Sequence, residues 1–344
     1  MVAAVAACTR SPTDNRTLTS IGGIRVGHHT LAERPTGCTA ILIERGVAGI
    51  SQRGSAPGTR DTDMLKPTSA ADHVDAIVLS GGSAYGLDAA NGVMQWLDEH
   101  QSGWFGRGME VPIVPAAVLI DLWVGGKPSI RPMADCGYRA AAAASRAAVA
   151  EGSVGAGAGA TVGKLTGLDR AMKGGIGSAA IALPSGLRVA ALAVVNALGD
   201  IVDPQTGAVV AGARDEDGAL VDVRKLLRAG APLQRTRIGE NTTLVVVATN
   251  ARMAKADVNR VALMADAGIA RAVTPAHTLA DGDTVFAVAT GQWKGDADVS
   301  TIGALAADVV AGAIVRAATQ ANGVAGIPSV RDLRKYGDAA RDLR

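Results

Sequence analysis

Gly239-Glu240-Asn241-Thr242-Thr243-Leu244-Val245-Val246-Val247-Ala248-Thr249 is the stretch around which the chain is organised. A polar Asn-Thr step opens a β-branched run, which is the composition of a buried strand with a hydroxyl at its first residue. Were the bond before Thr242 cut, that residue would carry a free amine and a hydroxyl together, a nucleophile with its own base. Alone, an Asn-Thr step is a strand entry, and its meaning depends on its company.

Working outward, residues 208–240 are irregular, charged and punctuated by Gly and Pro, an exposed connection suited to a cleavage point. Before them, residues 176–183 and 188–195 form two apolar strands joined by Pro184-Ser185-Gly186, a hairpin over a core. The second strand ends in Asn196, which reads as a turn former or as an amide donor. After the central stretch, residues 257–267 show helical apolar spacing and residues 284–289 form a strand. Ser300 is placed to cap a helix with Ile302, Leu305, Val309 and Ala313 inward.

Nearer the start, residues 39–44 and 47–51 read as strands around Arg45-Gly46, a hairpin-length turn. Residues 75–79 are a short strand, followed by Ser80-Gly81-Gly82-Ser83-Ala84-Tyr85-Gly86-Leu87 and an amphipathic helix. Such a glycine turn presents backbone N–H groups that suit a carboxylate or an oxyanion, or it serves packing alone. Residues 111–122 read as extended because of their prolines, and residues 138–150 as an Ala-rich helix. The layout is α/β, with helices covering sheets.

Composition narrows the function. A net charge of +2 and 3% aromatic residues offer neither an electrostatic footprint nor stacking surfaces for nucleic acid. Three scattered cysteines (Cys8, Cys38 and Cys136) make neither a disulfide framework nor a zinc site, so a reducing, cytoplasmic compartment is expected. The apolar start lacks the basic flank of a signal peptide, and no run of roughly twenty uninterrupted apolar residues suggests a membrane span. The run from Gly152 to Lys164 fails as a P-loop, because Ala158 and Leu165 stand where the motif needs Gly and Ser or Thr. Gly155-x-Gly157-x-x-Ala160 fits only the looser dinucleotide pattern, without a strand before it or a helix after it.

Several short motifs in order carry a resemblance. They are Ser80-Gly-Gly-Ser-Ala-Tyr-Gly-Leu87, Val118-Leu-Ile-Asp121, Thr161-Val-Gly-Lys164, Val194-Val-Asn196, Asn241-Thr-Thr243, Thr249-Asn250 and Asp281-Gly-Asp-Thr-Val-Phe-Ala287. With them the chain resembles the DmpA-type L-aminopeptidase/D-esterase family, which includes the nylon-oligomer hydrolase NylC. The resemblance spans about residues 21–327. It implies a layered αββα sandwich of the DmpA and ornithine acetyltransferase type, akin to the N-terminal-nucleophile (Ntn) hydrolases. It also implies self-cleavage between Asn241 and Thr242 into 1–241 (α) and 242–344 (β).

On this reading residues 1–18 are a flexible leader, 19–330 a single domain and 331–344 a polar tail. The resemblance surrounds Thr242 with Lys164, Asn196, Asp281 and Asp283. The Thr242 amine, with an ordinary pKa of roughly 7.7–8.0, accepts the hydroxyl proton. The Asn196 amide donates to the oxyanion, a role worth on the order of 3 kcal/mol in other hydrolases. Lys164 lowers the Thr242 hydroxyl's pKa or stabilises negative charge, and Asp281 and Asp283 orient the Thr242 ammonium and Lys164. Asp281-x-Asp283 lacks the remaining positions of a calcium loop, so neither metal nor cofactor is expected.

One position departs from the family pattern: Ile120 stands where relatives carry a Tyr near the active site. Either another donor such as Tyr85 substitutes, with Ser83 beside it in the substrate site, or the pocket is more apolar, or activity is reduced. The implied substrate is a small amide, peptide or ester, handled by homo-oligomers of αβ units without nucleic acid or membrane partners. The competing readings are an acyltransferase of the ornithine acetyltransferase type and an uncut nucleotide-binding protein.

Overall fold

The computed structural model describes residues 15–106, 109–230, 240–296 and 298–333. Residues 1–14 of the expected leader, 231–239 of the expected cleavage loop and 334–344 of the expected tail lie outside the described residues.

Nine strands build the centre: β1 (Ile24–Thr30), β2 (Gly37–Gln52), β3 (Gly58–Arg60), β4 (Val74–Ser80), β5 (Ala116–Val118), β6 (Gly175–Ala182), β7 (Arg188–Asn196), β8 (Thr242–Ala251) and β9 (Thr284–Trp293). Their order is β6-β7-β8-β9-β2-β4-β5-β3, with β1 also paired to β2. β2 is shared by two halves. Its first part pairs with β1 and β4, and its second, from Val47 to Gln52, pairs with β9. The register shifts between Leu42 and Gly46, where the strand passes from one half to the other. The expected hairpin at Arg45-Gly46 is therefore one continuous 16-residue strand. A Cβ at Gly46 would fall 2.7 Å from Val288 Cγ1, so this glycine serves close packing at the crossing rather than a chain reversal.

Period-2 alternation makes the layers. Ile41, Ile43, Ile77 and Leu79 from the first half meet Leu192, Val194, Leu244, Val246 and Phe286 from the second in one buried core between the sheets. Alternate residues face outward. Ala40, Leu42, Ala76 and Val78 pack under α1 (Ala89–Glu99) and α2 (Ala134–Ala142). Ala191, Ala193, Val245, Val247 and Val285 pack under α3 (Lys255–Ala272) and α4 (Val299–Gln320). The architecture is the layered αββα sandwich.

Several expectations change in detail. Thr17 and Leu18 are not leader: Leu18 is fully buried in the inter-sheet core and its N–H donates to Ser178 Oγ at 2.8 Å. The Ala-rich helix lies earlier than expected, over Ala134–Ala142. The chain after it is captured by the edge of β1, with Ser145 and Val26 exchanging backbone hydrogen bonds. Asp298 caps α4, accepting from the N–H groups of Ser300 and Thr301, so Ser300 does not. By length and composition α4 would suffice to cross a bilayer. Here it is a core helix, with Ile302, Val309, Val310 and Ile314 among its buried residues.

The glycine run is tied into the protein by its own backbone. Gly155 N–H donates to Thr30 Oγ1 and Ala156 N–H to Thr39 Oγ1, while Ala158 and Ala160 carbonyls accept from the buried Lys173 ammonium. The Gly155 and Ala156 amides are thus engaged within the protein, which does not favour the nucleotide-binding alternative. Cys38 and Cys136 form a disulfide joining the start of β2 to α2. The pairing corrects the expectation of unpaired cysteines and removes the reason it gave for a reducing compartment.

Candidate active site

Four chain segments converge at one end of the central strands. Asn196 ends β7 and stands directly opposite Thr242, the first residue of β8. Asp281-Gly282-Asp283 precedes β9, and Asn241 and Asp281 form a parallel bridge just ahead of the β8–β9 pairing. That segment is clamped from outside by the chain after β2, as Arg53 and Ala56 N–H groups donate to the Asp283 and Asp281 carbonyls. Lys164 follows a two-strand ribbon, Thr161–Val162 with Met172–Lys173, that brings its ammonium inward.

The peptide bond between Asn241 and Thr242 is closely held. Thr242 Oγ1 donates to the Asn241 carbonyl at 2.5 Å, and the Gly282 N–H donates to that carbonyl at 2.8 Å. Asn241 is fully buried, and neither polar atom of its side chain has a hydrogen-bond partner among the described residues. Lys164 Nζ donates to Asn196 O and Oδ1, both at 3.0 Å, and to the Glu240 carbonyl at 3.3 Å. The Asn196 amide donates to the carbonyls of Ile120 and Glu240, while its Oδ1 also accepts from Thr161 N–H at 3.0 Å.

Burial tunes the charges. It pushes the Lys164 ammonium down to about 7, against opposing pulls from Asp281 and Glu240. Burial, with Asp283 nearby, pushes the Asp281 carboxyl up to about 6. Asp281 Oδ2 accepts from Thr278 N–H at 2.6 Å, and Asp283 Oδ1 from Thr243 N–H at 2.7 Å. Thus Asp283 grips the backbone of β8 one residue past Thr242. Among the described residues no group of three His, Cys, Asp or Glu side chains is arranged to hold a metal ion.

Beside the bond lies a cleft of about 170 Å³, lined by residues including Ile120, Trp123, Val124, Thr161, Lys164, Leu168 and Asn241. Ile120 does face it, giving it an apolar wall. Ser83 and Tyr85 do not line it. Tyr85 is 56% exposed, with the Arg131 guanidinium stacked 3.7 Å over its ring. The glycine turn before α1 does hold a carboxylate, but an internal one. Gly82 N–H donates to Asp121 Oδ1, and Asp121 is itself paired with the buried Arg34.

Two contributors were not singled out from sequence. Gly282 was read only as the spacer between two acids, and its part is played by a backbone N–H that any residue type would carry. His277 packs against Asp283, with ring Nδ1 3.0 Å from its Oδ2. Its position six residues before Asp283 was the available signal.

The profile of peptidase family S58 matches residues 16–331. An uncharacterized aminopeptidase of Mycobacterium tuberculosis is 44% identical over 281 residues, covering 78% of this chain and 79% of the relative. The 6-aminohexanoate-oligomer endohydrolase of Paenarthrobacter ureafaciens is 32% identical over 271 residues, 76% of this chain and 71% of the relative. Among solved structures, the L-aminopeptidase D-Ala-esterase/amidase of Ochrobactrum anthropi, described as a variant of the Ntn hydrolase fold, superposes with a TM-score of 0.67. It is 20% identical and covers 94% of each chain. A Burkholderia β-aminopeptidase also scores 0.67, at 23% identity over 96% of this chain and 95% of that one.

Proposed function

Since the chain belongs to peptidase family S58, the DmpA family, we propose that it is an amide hydrolase that cuts its own Asn241–Thr242 bond and then uses Thr242 as an N-terminal nucleophile. The observation that carries this is the double hold on the Asn241 carbonyl by the Thr242 hydroxyl and the Gly282 N–H. In the uncut chain the Thr242 oxygen attacks the Asn241 carbonyl carbon, and negative charge gathers on the oxygen that Gly282 N–H already contacts. The C–N bond breaks as the Thr242 nitrogen takes up a proton, leaving Asn241 esterified to the hydroxyl. Water hydrolyses that ester, giving an Asn241 carboxylate and a Thr242 with free amine and hydroxyl.

The uncut chain has no free amine at Thr242, so the first proton needs another acceptor. Lys164, its ammonium pushed down to about 7 by burial, becomes that acceptor once it gives up one of the three hydrogen bonds it donates to Asn196 and Glu240. After cleavage the Thr242 amine takes over as base. The same hydroxyl then attacks the carbonyl of a small amide, peptide or ester, and water releases the acyl group. The Asn196 amide, no longer held to the Glu240 carbonyl once that segment leaves, becomes available to the oxyanion. The aminopeptidase and endohydrolase relatives support an amide substrate, and the apolar wall at Ile120 favours an uncharged group beside it. Self-association of the processed units belongs to the same reading, and sedimentation of the processed protein measures it.

Intact mass spectrometry tests the reading. Wild type is expected as two chains, 1–241 and 242–344, and Thr242→Ala as one. If Thr242→Ala still splits at this bond, the nucleophile is wrongly assigned. Processed enzyme should release p-nitroaniline from small p-nitroanilides in water alone, whereas release only with an added amine acceptor would identify a transferase.

A further inference from the structure

The segment carrying Asp281 and Asp283 is tied to a chain of charge that runs away from the cleft. His277 has a left-handed backbone, φ 56°, uncommon for a residue with a side chain. This conformation turns both its N–H and its ring onto Asp283. The N–H donates to Oδ2 at 3.1 Å, and ring Nδ1 lies 3.0 Å from the same oxygen. On the far side, ring Nε2 lies 3.4 Å from Oδ1 of Asp266, a buried residue of α3. Asp266 Oδ2 in turn accepts from the Ser51 hydroxyl at 2.7 Å and lies 3.3 Å from Arg53 Nε.

A neutral imidazole has one N–H, whereas His277 faces a carboxylate at each nitrogen. Neither approach is aligned as a hydrogen bond, so the ring is held by charge, and only the imidazolium is attracted to both carboxylates. The charged groups around the ring agree: Asp266 from α3, Asp283 and Asp281 from the segment before β9, and Arg53, half in solvent, beyond Asp266. We infer that His277, as an imidazolium clamped between Asp266 and Asp283, is a positioning residue that holds the Asp283 carboxylate against Thr243 N–H and thereby fixes Thr242 for reaction. The role in reaction rests on Thr242 being the nucleophile; the clamp itself does not.

The close approach of Asp283, followed by the Asp266 and Asp281 charges, raises the His277 pKa above its ordinary value, with burial opposing. A raised pKa means that the clamp is complete at and below the ordinary value and is lost as pH rises through the raised one. Groups that must lose a proton, Lys164 before cleavage and the Thr242 amine after it, give the rising limb of the rate. Loss of the His277 proton gives the falling limb.

Two experiments test this separately. In uncut Thr242→Ala protein, NMR should show the His277 ring titrating above about 6.5, with the Thr243 amide signal moving at the same midpoint. Adding Asp266→Asn should lower that midpoint. A midpoint at or below the ordinary value, or a Thr243 amide that ignores it, overturns the clamp whatever the activity. In processed enzyme, His277→Gln should lose about tenfold in kcat, with KM little changed, and lose the falling limb. His277→Arg, which keeps the charge, should recover most of kcat and stay flat at alkaline pH. A falling limb that persists in both variants, or an Arg variant no better than Gln, overturns the positioning role. If nothing splits or turns over, the Thr242 reading fails while the NMR result still decides the clamp.

Discussion

Lys164 and Gly282 act on the same peptide bond by different means, and each makes its own prediction. Lys164 is needed as a neutral amine before cleavage, so the self-cleavage rate should rise as pH passes through about 7. Lys164→Arg keeps a cation but cannot release its proton. Its cleavage, followed by denaturing gel electrophoresis over time, should be slowed at least about tenfold at pH 8, with the rise abolished. A rise that survives would place the base elsewhere. At Gly282 a Cβ would fall 2.7 Å from the Ala56 carbonyl and 2.9 Å from Thr242 Oγ1. Gly282→Ala should therefore displace the donor or the hydroxyl and slow cleavage by about 10²-fold, read as uncut chain in the intact mass. Of this site, the residues with distinctive side chains were legible as a spaced set through the family resemblance. The N–H of Gly282 and the left-handed turn at His277 were not, because backbone direction and local φ leave no mark in residue type at those positions.

Strands of alternating composition were the most legible elements. Residues 176–183 and 188–195 were read as a hairpin, and β6 and β7 pair antiparallel over nearly that span. β2 was misread because Arg45-Gly46 has the chemistry of a turn, whereas here it lies where one strand leaves its first partners for a second set. Whether a polar-Gly pair turns the chain or carries it across depends on strands more than 200 residues away, as with Val288 against Gly46. The Ala-rich stretch after Ala142 has helix propensity, but the exposed edge of β1 offers its backbone ready partners. At this scale Phe286, fully buried between the sheets, is the most informative probe. Phe286→Ala should cost about 3–5 kcal/mol, measured by denaturant unfolding. A loss near zero would mean that the inter-sheet layer is loosely packed.

For the molecule as a whole, Cys38 and Cys136 are 98 residues apart, and nothing in their spacing announces a bond that only the stacking of α2 on β2 creates. Titration of thiols in denaturant without reductant should find one per chain, Cys8, and three after reduction. Three from the start would show the pair unbonded in solution.

The strand order carries one more consequence. β8 and β9 stand side by side between β7 and β2, so both central-sheet strands that follow residue 241 are threaded into the middle of a sheet whose flanks come from before it. A scission at Asn241–Thr242 thus frees the chain end at residue 241 without separating the two products. The shorter piece could depart only by opening both seams of the central sheet, β7 with β8 and β9 with β2. The two products should melt as one body, and the new amine at Thr242 is held in register by the same ladder that held the uncut chain.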